Sequence, residues 1–569
     1  MADAESTAAA ELAEKRKEDK LRKAAEKKAK EEKKAAQQAA RNAGQAAKAA
    51  ATTGEDAPSV TVRTYDSVDY GNLFIQSEQP TPREWTEVHS LQPALKGQQV
   101  WVRGRLANVR KQGKMLCFVE VRQSMYTVQA VVYSKSGGIV PFAAALPRES
   151  IIDVLAEVSV PEEPVTSCTQ SGVELQVRKL FCVSRACAEL PLQLEDAARS
   201  DPELAADPEL PRVHQDVRLN HRVLDLRTPA NQAIMRLQSA VCEEFRGFLA
   251  GQGFTEIHTP KLIATASEGG ADVFKVEYFG GDAFLAQSPQ LYKQMALMGD
   301  LERVFEVGPV FRAEHSLTHR HMTEFTGLDM EMTFLEHYHE VLDMLDRTFN
   351  AVFDGLNTRH RDELEAVRKQ HPFADLRYRY PCLRFTYAEA MGLLRSAGPE
   401  KLRAMAATAA DEKERARLLE RVDSVAAHGD LEDIGTEDEK LLGEIVAEKH
   451  GQDFYIIDKF PAHIRPFYSM PDPAEPTLAN SYDIFIRGEE VTSGAQRVHE
   501  TQMLLELAAA REPPVDLGPI KGYVDSFKYG APPHAGGGIG LERVVMLFLS
   551  LDNIRKSSLF PRDPARLTP

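Results

Sequence analysis

One stretch narrows the possible folds of this chain more than any other: Gly308–Met332, GPVFRAEHSLTHRHMTEFTGLDMEM. It opens in an apolar run that ends at Phe311-Arg312-Ala313-Glu314. A polar loop with His315, His319, Arg320 and His321 follows, and the stretch closes in alternating residues. Leu328, Met330 and Met332 fall on one side of that closing segment, Asp329 and Glu331 on the other. A period of two predicts a strand, so the whole predicts a long hairpin with charge at its mouth. An arginine leaving a strand presents a planar fork to a phosphate, and the loop imidazoles with Phe325 are suited to holding a flat base. An ordinary hairpin with a basic tip fits the same residues.

A second stretch, Gly536–Arg543, reads GGGIGLER and runs into the apolar segment VVMLFLSL. This predicts a glycine turn followed by a helix, with Arg543 in the first helical turn. Consecutive glycines let a backbone approach a ligand closely. No Gly-Lys-Ser/Thr follows, and the glycine spacing is not that of a dinucleotide fingerprint, so neither standard phosphate loop is present.

Together, FRAE…HRHMTEFTGLDMEM and GGGIGLER resemble motifs 2 and 3 of the class II aminoacyl-tRNA synthetases. A third piece, FRGFLAGQGFTEIHTPKLI, is similar to the dimer-forming motif 1, with Pro260 as its proline. Within the class the likeness is nearest to the cytoplasmic, eukaryotic-type aspartyl-tRNA synthetases, and it runs from about Thr86 to Pro569. The resemblance implies an α+β chain: an N-terminal OB-fold β-barrel, then a class II catalytic domain built on an antiparallel sheet flanked by helices. It also implies a homodimer that uses ATP and Mg2+, with L-aspartate and tRNA-Asp as its partners. The expected divisions are a lysine-rich extension and linker over 1–85, the barrel over 86–187, a hinge over 188–227 and the catalytic domain over 228–569.

Composition fits an intracellular machine of that size. The 569 residues are ample for two or more domains. No window approaches the run of about eighteen apolar residues that spans a bilayer, so no membrane segment is expected. The amino terminus lacks an apolar signal core and is too acidic for a transit peptide, which points to the cytoplasm. Six scattered cysteines without Cys-x-x-Cys pairing read as reduced thiols.

The net charge of −16 argues against a polyanionic partner until its distribution is considered. Residues 1–50 hold thirteen Lys or Arg against nine Asp or Glu. Arg16, Lys20, Lys23, Lys27, Lys30 and Lys34 recur at steps of four and three, on one face of a helix. With almost nothing apolar to bury, this tail is expected to be helical or disordered. It reads as a solubilising face or as a sequence-blind phosphate binder for RNA.

From Gln99 to Ser184 the runs VWVRGRL, MLCFVEVR, TVQAVVY, IIDVLAEVSV and VELQVRKLFCV predict five strands, enough for a small Greek-key barrel. Phe118 is placed either to stack on a base, with Arg110 and Gln129 supplying hydrogen bonds, or to serve the barrel core. The matching barrel positions in the resembled family read the anticodon. Beyond the acidic, proline-rich hinge, Thr228 suits an N-cap and Pro229 the first helical position. The charged segment 395–440 is helical in composition and reads as a surface insertion.

The resemblance also implies roles for individual residues. Arg312 would clamp the α-phosphate and the reacting carboxylate, and Arg543 the γ-phosphate, as the two catalytic arginines. Glu314, Arg320, His321, Met322, Glu490 and Gly540 would complete the ATP site, with Phe325 stacked on adenine. Glu268 of a mobile-looking glycine loop, Gln290, Lys293, Asp329, Ser493 and Arg497 would bind aspartate. Asp483, Glu490 and Ser493 would hold magnesium, which takes hard oxygen ligands. Arg497 presents a donor fork that fits a side-chain carboxylate, and the asparagine amide would oppose donor to donor. Mismatches of that kind discriminate by ~10⁴. The alternatives left open are an asparaginyl-tRNA synthetase and a non-catalytic RNA-binding or scaffolding paralogue.

Overall fold

The structure is a computed structural model that describes residues 68–75, 77, 83–135, 138–264 and 273–569. The basic tail at 1–50 and Glu268 lie outside the described residues.

The first unit is a six-stranded sheet, five strands of which close into a barrel: β1 (Tyr70–Asn72), β2 (Gln99–Lys111), β3 (Leu116–Gln123), β4 (Tyr126–Tyr133), β5 (Ile151–Ser159) and β6 (Glu174–Ser184). Their order is β1-β6-β4-β3-β2-β5, and antiparallel pairing of β5 with β6 closes the ring. Alternation explains the core: Val100, Val102 and Leu106 of β2 point inward to meet Val119 and Val121 of β3. The five expected strands are present, and β1 is an addition within the stretch read as a joint. Tyr70 anchors it by packing on Phe142 at 5.6 Å, and its backbone pairs in parallel with Leu180–Cys182.

The second unit is arranged around an eight-stranded sheet. Its elements in chain order are α1 (Pro229–Gly251), β7 (Thr255–Glu256), a small sheet of β8 (Leu262–Ile263), β9 (Lys275–Tyr278) and β10 (Gly281–Leu285), then α2 (Gln290–Met298), β11 (Arg303–Phe311), β12 (Glu324–Thr333) and α3 (His339–Arg359). They continue with β13 (Leu383–Thr386), α4 (Tyr387–Thr408), α5 (Glu412–Ala426), α6 (Thr436–His450), β14 (Phe454–Asp458), β15 (Ser481–Ile486), β16 (Glu489–Gln496), β17 (His534–Gly540) and α7 (Leu541–Phe548). The sheet order is β13-β14-β15-β16-β17-β12-β11-β7. Its six inner strands are antiparallel, and only the outermost pairings, β13 with β14 and β7 with β11, are parallel. Leu237 and Phe245 of α1, Leu345 and Phe353 of α3 and Val545 of α7 share one core with Leu328, Met330 and Ile539 of the sheet.

Local details depart from the sequence reading in three places. Thr228 holds the N-cap position of α1, but its hydroxyl donates to the Asp225 carbonyl at 2.8 Å and caps no helix amide. The glycine run expected as a turn is the strand β17 itself, paired with β12 and β16. Segment 395–440, read as a surface insertion, packs on the sheet: Leu402, Leu418, Val422 and Val425 are buried in one cluster with Tyr455 and Phe485.

Candidate active site

Strand β12 puts Leu328, Met330 and Met332 into the helical core and turns Asp329 and Glu331 the other way, as alternation requires. On that side lies a cavity of about 320 Å³ whose walls include Arg312, Arg497 and Arg543. Three strongly cationic side chains from distant parts of the chain therefore face one enclosed space.

The floor of the cavity is a buried charge network. Lys293 on α2 is 1 % exposed and Glu331 is 0 % exposed. The Lys293 ammonium lies 2.9 Å from Asp329 Oδ1 and 3.3 Å from Glu331 Oε2. Arg497 donates through Nε to Glu331 Oε1 at 2.8 Å, and its Nη2 donates to Gln290 Oε1 at 3.2 Å and to the Gly536 carbonyl at 2.9 Å. Two cations and two carboxylates neutralise one another, the condition under which charges persist in an interior. Burial pushes the Glu331 carboxyl up, but Arg497 and Lys293 outweigh burial and hold it below the ordinary carboxylate value. Burial opposes the Arg497 charge, and Glu331 more than restores it.

Two of the residues read as substrate contacts meet protein partners here. Lys293 has its ammonium on Asp329 and Glu331, and of these three Asp329 lines the cavity. The Arg497 fork, read as a bidentate clamp for substrate, has its Nε and Nη2 turned onto Glu331, Gln290 and Gly536. Glu331, whose partnership causes this, went unassigned in the sequence although it shares the alternation of Asp329. Behind it, Gln294 meets His534 Nε2 at 2.9 Å, and burial depresses the His534 pKa to about 4. A neutral imidazole there adds no third charge to the network.

Why β17 is glycine follows from the same floor. A Cβ on Gly536 would lie 2.2 Å from the Met330 carbonyl oxygen and 2.3 Å from Glu331 Oε2. Both atoms belong to packed elements with nowhere to go. Gly536→Ala is therefore expected to cost about 3 kcal/mol or more, at the upper end of overpacking, read as a lowered Tm in thermal unfolding.

The mouth of the cavity is built by the β11–β12 hairpin and the start of α7. Arg312 projects from the end of β11 with its guanidinium 5.4 Å from the Phe325 ring centroid and within 4.0 Å of Glu314. Arg543, in the first turn of α7, donates to the carbonyls of Glu490 at 3.0 Å and Arg320 at 3.4 Å. Glu314, His321, Met322, Phe325 and Gly540 all line the cavity. Burial, reinforced by Arg543, Arg320 and Arg312, pushes the His321 pKa down to about 4. His321 is thus neutral near pH 7, so its 3.7 Å approach to Glu314 is no ion pair. Arg320 lines the cavity too, but its guanidinium leaves the centre: Nη1 donates to Glu439 at 2.9 Å and Nη2 to Thr436 at 2.5 Å.

Of the three residues read as metal ligands, Asp483 is directed elsewhere. Arg465 grips both its carboxylate oxygens, at 3.0 and 2.7 Å, and the same Arg465 donates to the Ser493 hydroxyl at 2.9 Å. Arg465 was not anticipated; its guanidinium stacks 4.0 Å from the Phe460 ring centroid, and it also lines the cavity. Burial and the charge of Glu490 push the Asp483 pKa up to about 6, with Arg465 opposing them. Among the described residues no cluster of three or more His, Cys, Asp or Glu side chains could enclose a metal. The donor set fits a magnesium ion carried by phosphates and touched by one carboxylate, Glu490, rather than a protein-built cage.

On the barrel, Arg110, Phe118 and Gln129 line a smaller cavity of about 110 Å³. Arg110 donates to Gln129 at 3.1 Å and lies 5.9 Å from the Phe118 ring centroid, while Gln129 donates to Glu174 at 2.6 Å. Phe118 is half-buried and outside the barrel core, which weighs against a purely structural role. Pro260 is exposed beyond β7.

A family model described as tRNA synthetases class II (D, K and N) matches residues 214–564. The chain belongs to this family. The synthetase is 49 % identical over 510 residues to the cytoplasmic aspartate–tRNA ligase of Bos taurus, with 89 % of this chain and 95 % of that protein covered. Its structure matches an aspartyl-tRNA synthetase from Entamoeba histolytica at 43 % identity and TM-score 0.78, covering 89 % of this chain and 98 % of that one. It also matches an asparaginyl-tRNA synthetase from Pyrococcus horikoshii complexed with asparaginyl-adenylate at 28 % identity and TM-score 0.68, covering 85 % and 100 %. No helix among the described residues is long and apolar enough to cross a membrane.

Proposed function

We propose that this synthetase is an aspartate–tRNA ligase: it activates L-aspartate with ATP to aspartyl-adenylate and passes the aspartyl group to the 3′ end of tRNA-Asp. The observation that carries the reading is the single cavity shared by Arg312, Arg497 and Arg543 above a buried, charge-balanced floor.

The first step joins two anions. An aspartate α-carboxylate oxygen forms a bond to the α-phosphorus of ATP, the bond to the bridging oxygen breaks, and pyrophosphate leaves. No side-chain nucleophile is required; orientation and charge neutralisation lower the barrier. Arg312 is placed for the α-phosphate and the attacking carboxylate, and Arg543 for the far end of the phosphate chain. Phe325 offers a face to adenine beside neutral His321 and buried Met322. Glu490 would hold a magnesium ion, which would supply further neutralisation of the phosphate charge. In the second step a terminal ribose hydroxyl of tRNA attacks the mixed anhydride, and AMP departs.

Amino-acid choice rests on charge more than on a donor fork. Arg497 keeps Nη1 without a partner among the described residues, and Lys293 adds its charge from behind the wall. A side-chain carboxylate brings a full negative charge to these cations, which the neutral amide of asparagine lacks. ATP–pyrophosphate exchange measured with aspartate, with asparagine and with neither tests the assignment. Exchange with aspartate alone is expected; exchange with asparagine makes the enzyme asparaginyl, and exchange with neither makes it non-catalytic.

The barrel cavity is assigned to tRNA. Phe118→Ala is expected to weaken tRNA-Asp binding about tenfold, the loss of one stacked base, with amino-acid activation unchanged. Filter binding beside the exchange assay separates the two. The homodimer through motif 1 is retained as part of this proposal, with sedimentation as its measurement.

A further inference from the structure

Helix α6 approaches the cavity from the side that sequence reading left without a function. Its first turn carries Thr436 and Glu439, which take both terminal nitrogens of Arg320, as described above. One residue on, Lys440 lies 3.1 Å from Glu489 and 3.2 Å from His319 Nε2, and His319 is itself 3.2 Å from Glu489. Two successive residues of the β11–β12 loop are thereby tied to two successive residues of α6. The backbone carries the tie further. The Arg320 carbonyl accepts from Arg543, and the His319 carbonyl accepts from the Ile554 amide at 2.8 Å.

The helix is itself held firmly. Gly443 of α6 lies against Gly488 in the β15–β16 turn so closely that a Cβ would come within 2.3 Å of the Gly488 Cα. That turn leads directly into Glu489 and Glu490. On the far side, Arg421 of α5 pairs with Glu437 at 3.1 Å and with Asp438, and Arg417 pairs with Glu437. A chain of contacts thus runs from α5 through the first turn of α6 to Arg320 and on to Arg543. Glu439 is 6 % exposed, so its bond to the Arg320 guanidinium is shielded from water, although burial outweighs Arg320 and pushes the Glu439 carboxyl up to about 7.

We propose that Thr436, Glu439 and Lys440 of α6 are positioning residues for ATP, acting through Arg320 and His319 to hold the β11–β12 loop over the nucleotide, with α5 bracing them. This rests on the reading of the cavity as the site of aspartate activation. It gives the 395–440 segment a task in the reaction without any contact between that segment and substrate.

The test pairs ATP–pyrophosphate exchange with hydrogen exchange of residues 312–323. In Thr436→Val/Glu439→Ala, loss of a charge-assisted bond is expected to raise the KM for ATP about tenfold, with the KM for aspartate and kcat nearly unchanged. Loop amides are expected to exchange faster by a similar factor. Glu439→Gln, which keeps an acceptor, is expected to restore much of the ATP affinity. Arg421→Ala, remote from the cavity, is expected to move both readouts in the same direction but less, and it serves if the double variant does not fold. Unchanged loop exchange together with an unchanged KM for ATP overturns the brace. Equal rises in both KM values also overturn it, because they report general damage. Absence of aspartate-dependent exchange in the unaltered protein overturns the proposed function, while hydrogen exchange still decides whether α6 holds the loop.

Discussion

Arg497→Ala is expected to lower aspartate-dependent ATP–pyrophosphate exchange by about a thousandfold. The residue does two things at once. It lines the cavity, and its Nε and Nη2 neutralise Glu331, which is 0 % exposed. Removing it leaves a carboxylate buried with Lys293 as its one remaining cation, and an uncompensated buried charge costs about 3–5 kcal/mol. That penalty distorts the floor, because Glu331 regains balance only by taking up a proton or moving toward Lys293. The separable readout is amino-acid preference: any residual activity should prefer aspartate over asparagine less than the unaltered enzyme does. A variant that keeps its activity within tenfold would remove Arg497 from the aspartate site. Arg497→Lys is the companion measurement. It keeps the charge but cannot reach Glu331, Gln290 and the Gly536 carbonyl together, so it should remain strongly impaired.

Arg312→Ala is expected to reduce kcat for adenylate formation about a hundredfold or more, the usual effect of removing one preorganised donor from developing phosphoryl charge. Its position at the exit of β11, above Phe325, is fixed by the hairpin and by the cation–π approach to that ring. Its side chain is 41 % exposed, so folding should be little affected and Tm close to that of the unaltered protein. Pre-steady-state formation of aspartyl-adenylate is the measurement. A change confined to the KM for ATP would make Arg312 a ground-state nucleotide contact and no more.

The parts of the architecture that sequence made legible are those governed by short-range pattern. Alternation in GLDMEM placed Asp329 and Glu331 opposite the core, and the five barrel runs became strands β2 to β6. What escaped was decided by partners far away in the chain. Nothing near Arg497 indicates that Glu331, from a strand more than 150 residues earlier, would claim its fork. Nothing near Asp483 shows that Arg465 would reach both of its oxygens. A lysine in QSPQLYKQ looks solvated by helical position alone, and only the two carboxylates of β12 make its burial tolerable. The glycine run misled for a related reason. Glycine predicts a turn locally, whereas here it is demanded by strands pressing from both sides.

That crowding limits how the enzyme can be redesigned. Positions 536, 537 and 538 offer no side chains, and an added Cβ would meet neighbours at 2.2, 3.0 and 3.0 Å. Position 536 is thus closed to mutation as a means of reshaping the substrate pocket, and positions 537 and 538 admit a side chain only where Thr492 or Asp329 gives way. Any attempt to make it accept a different amino acid has to work through α2 and the middle of β16, where Gln290 and Ser493 line the cavity.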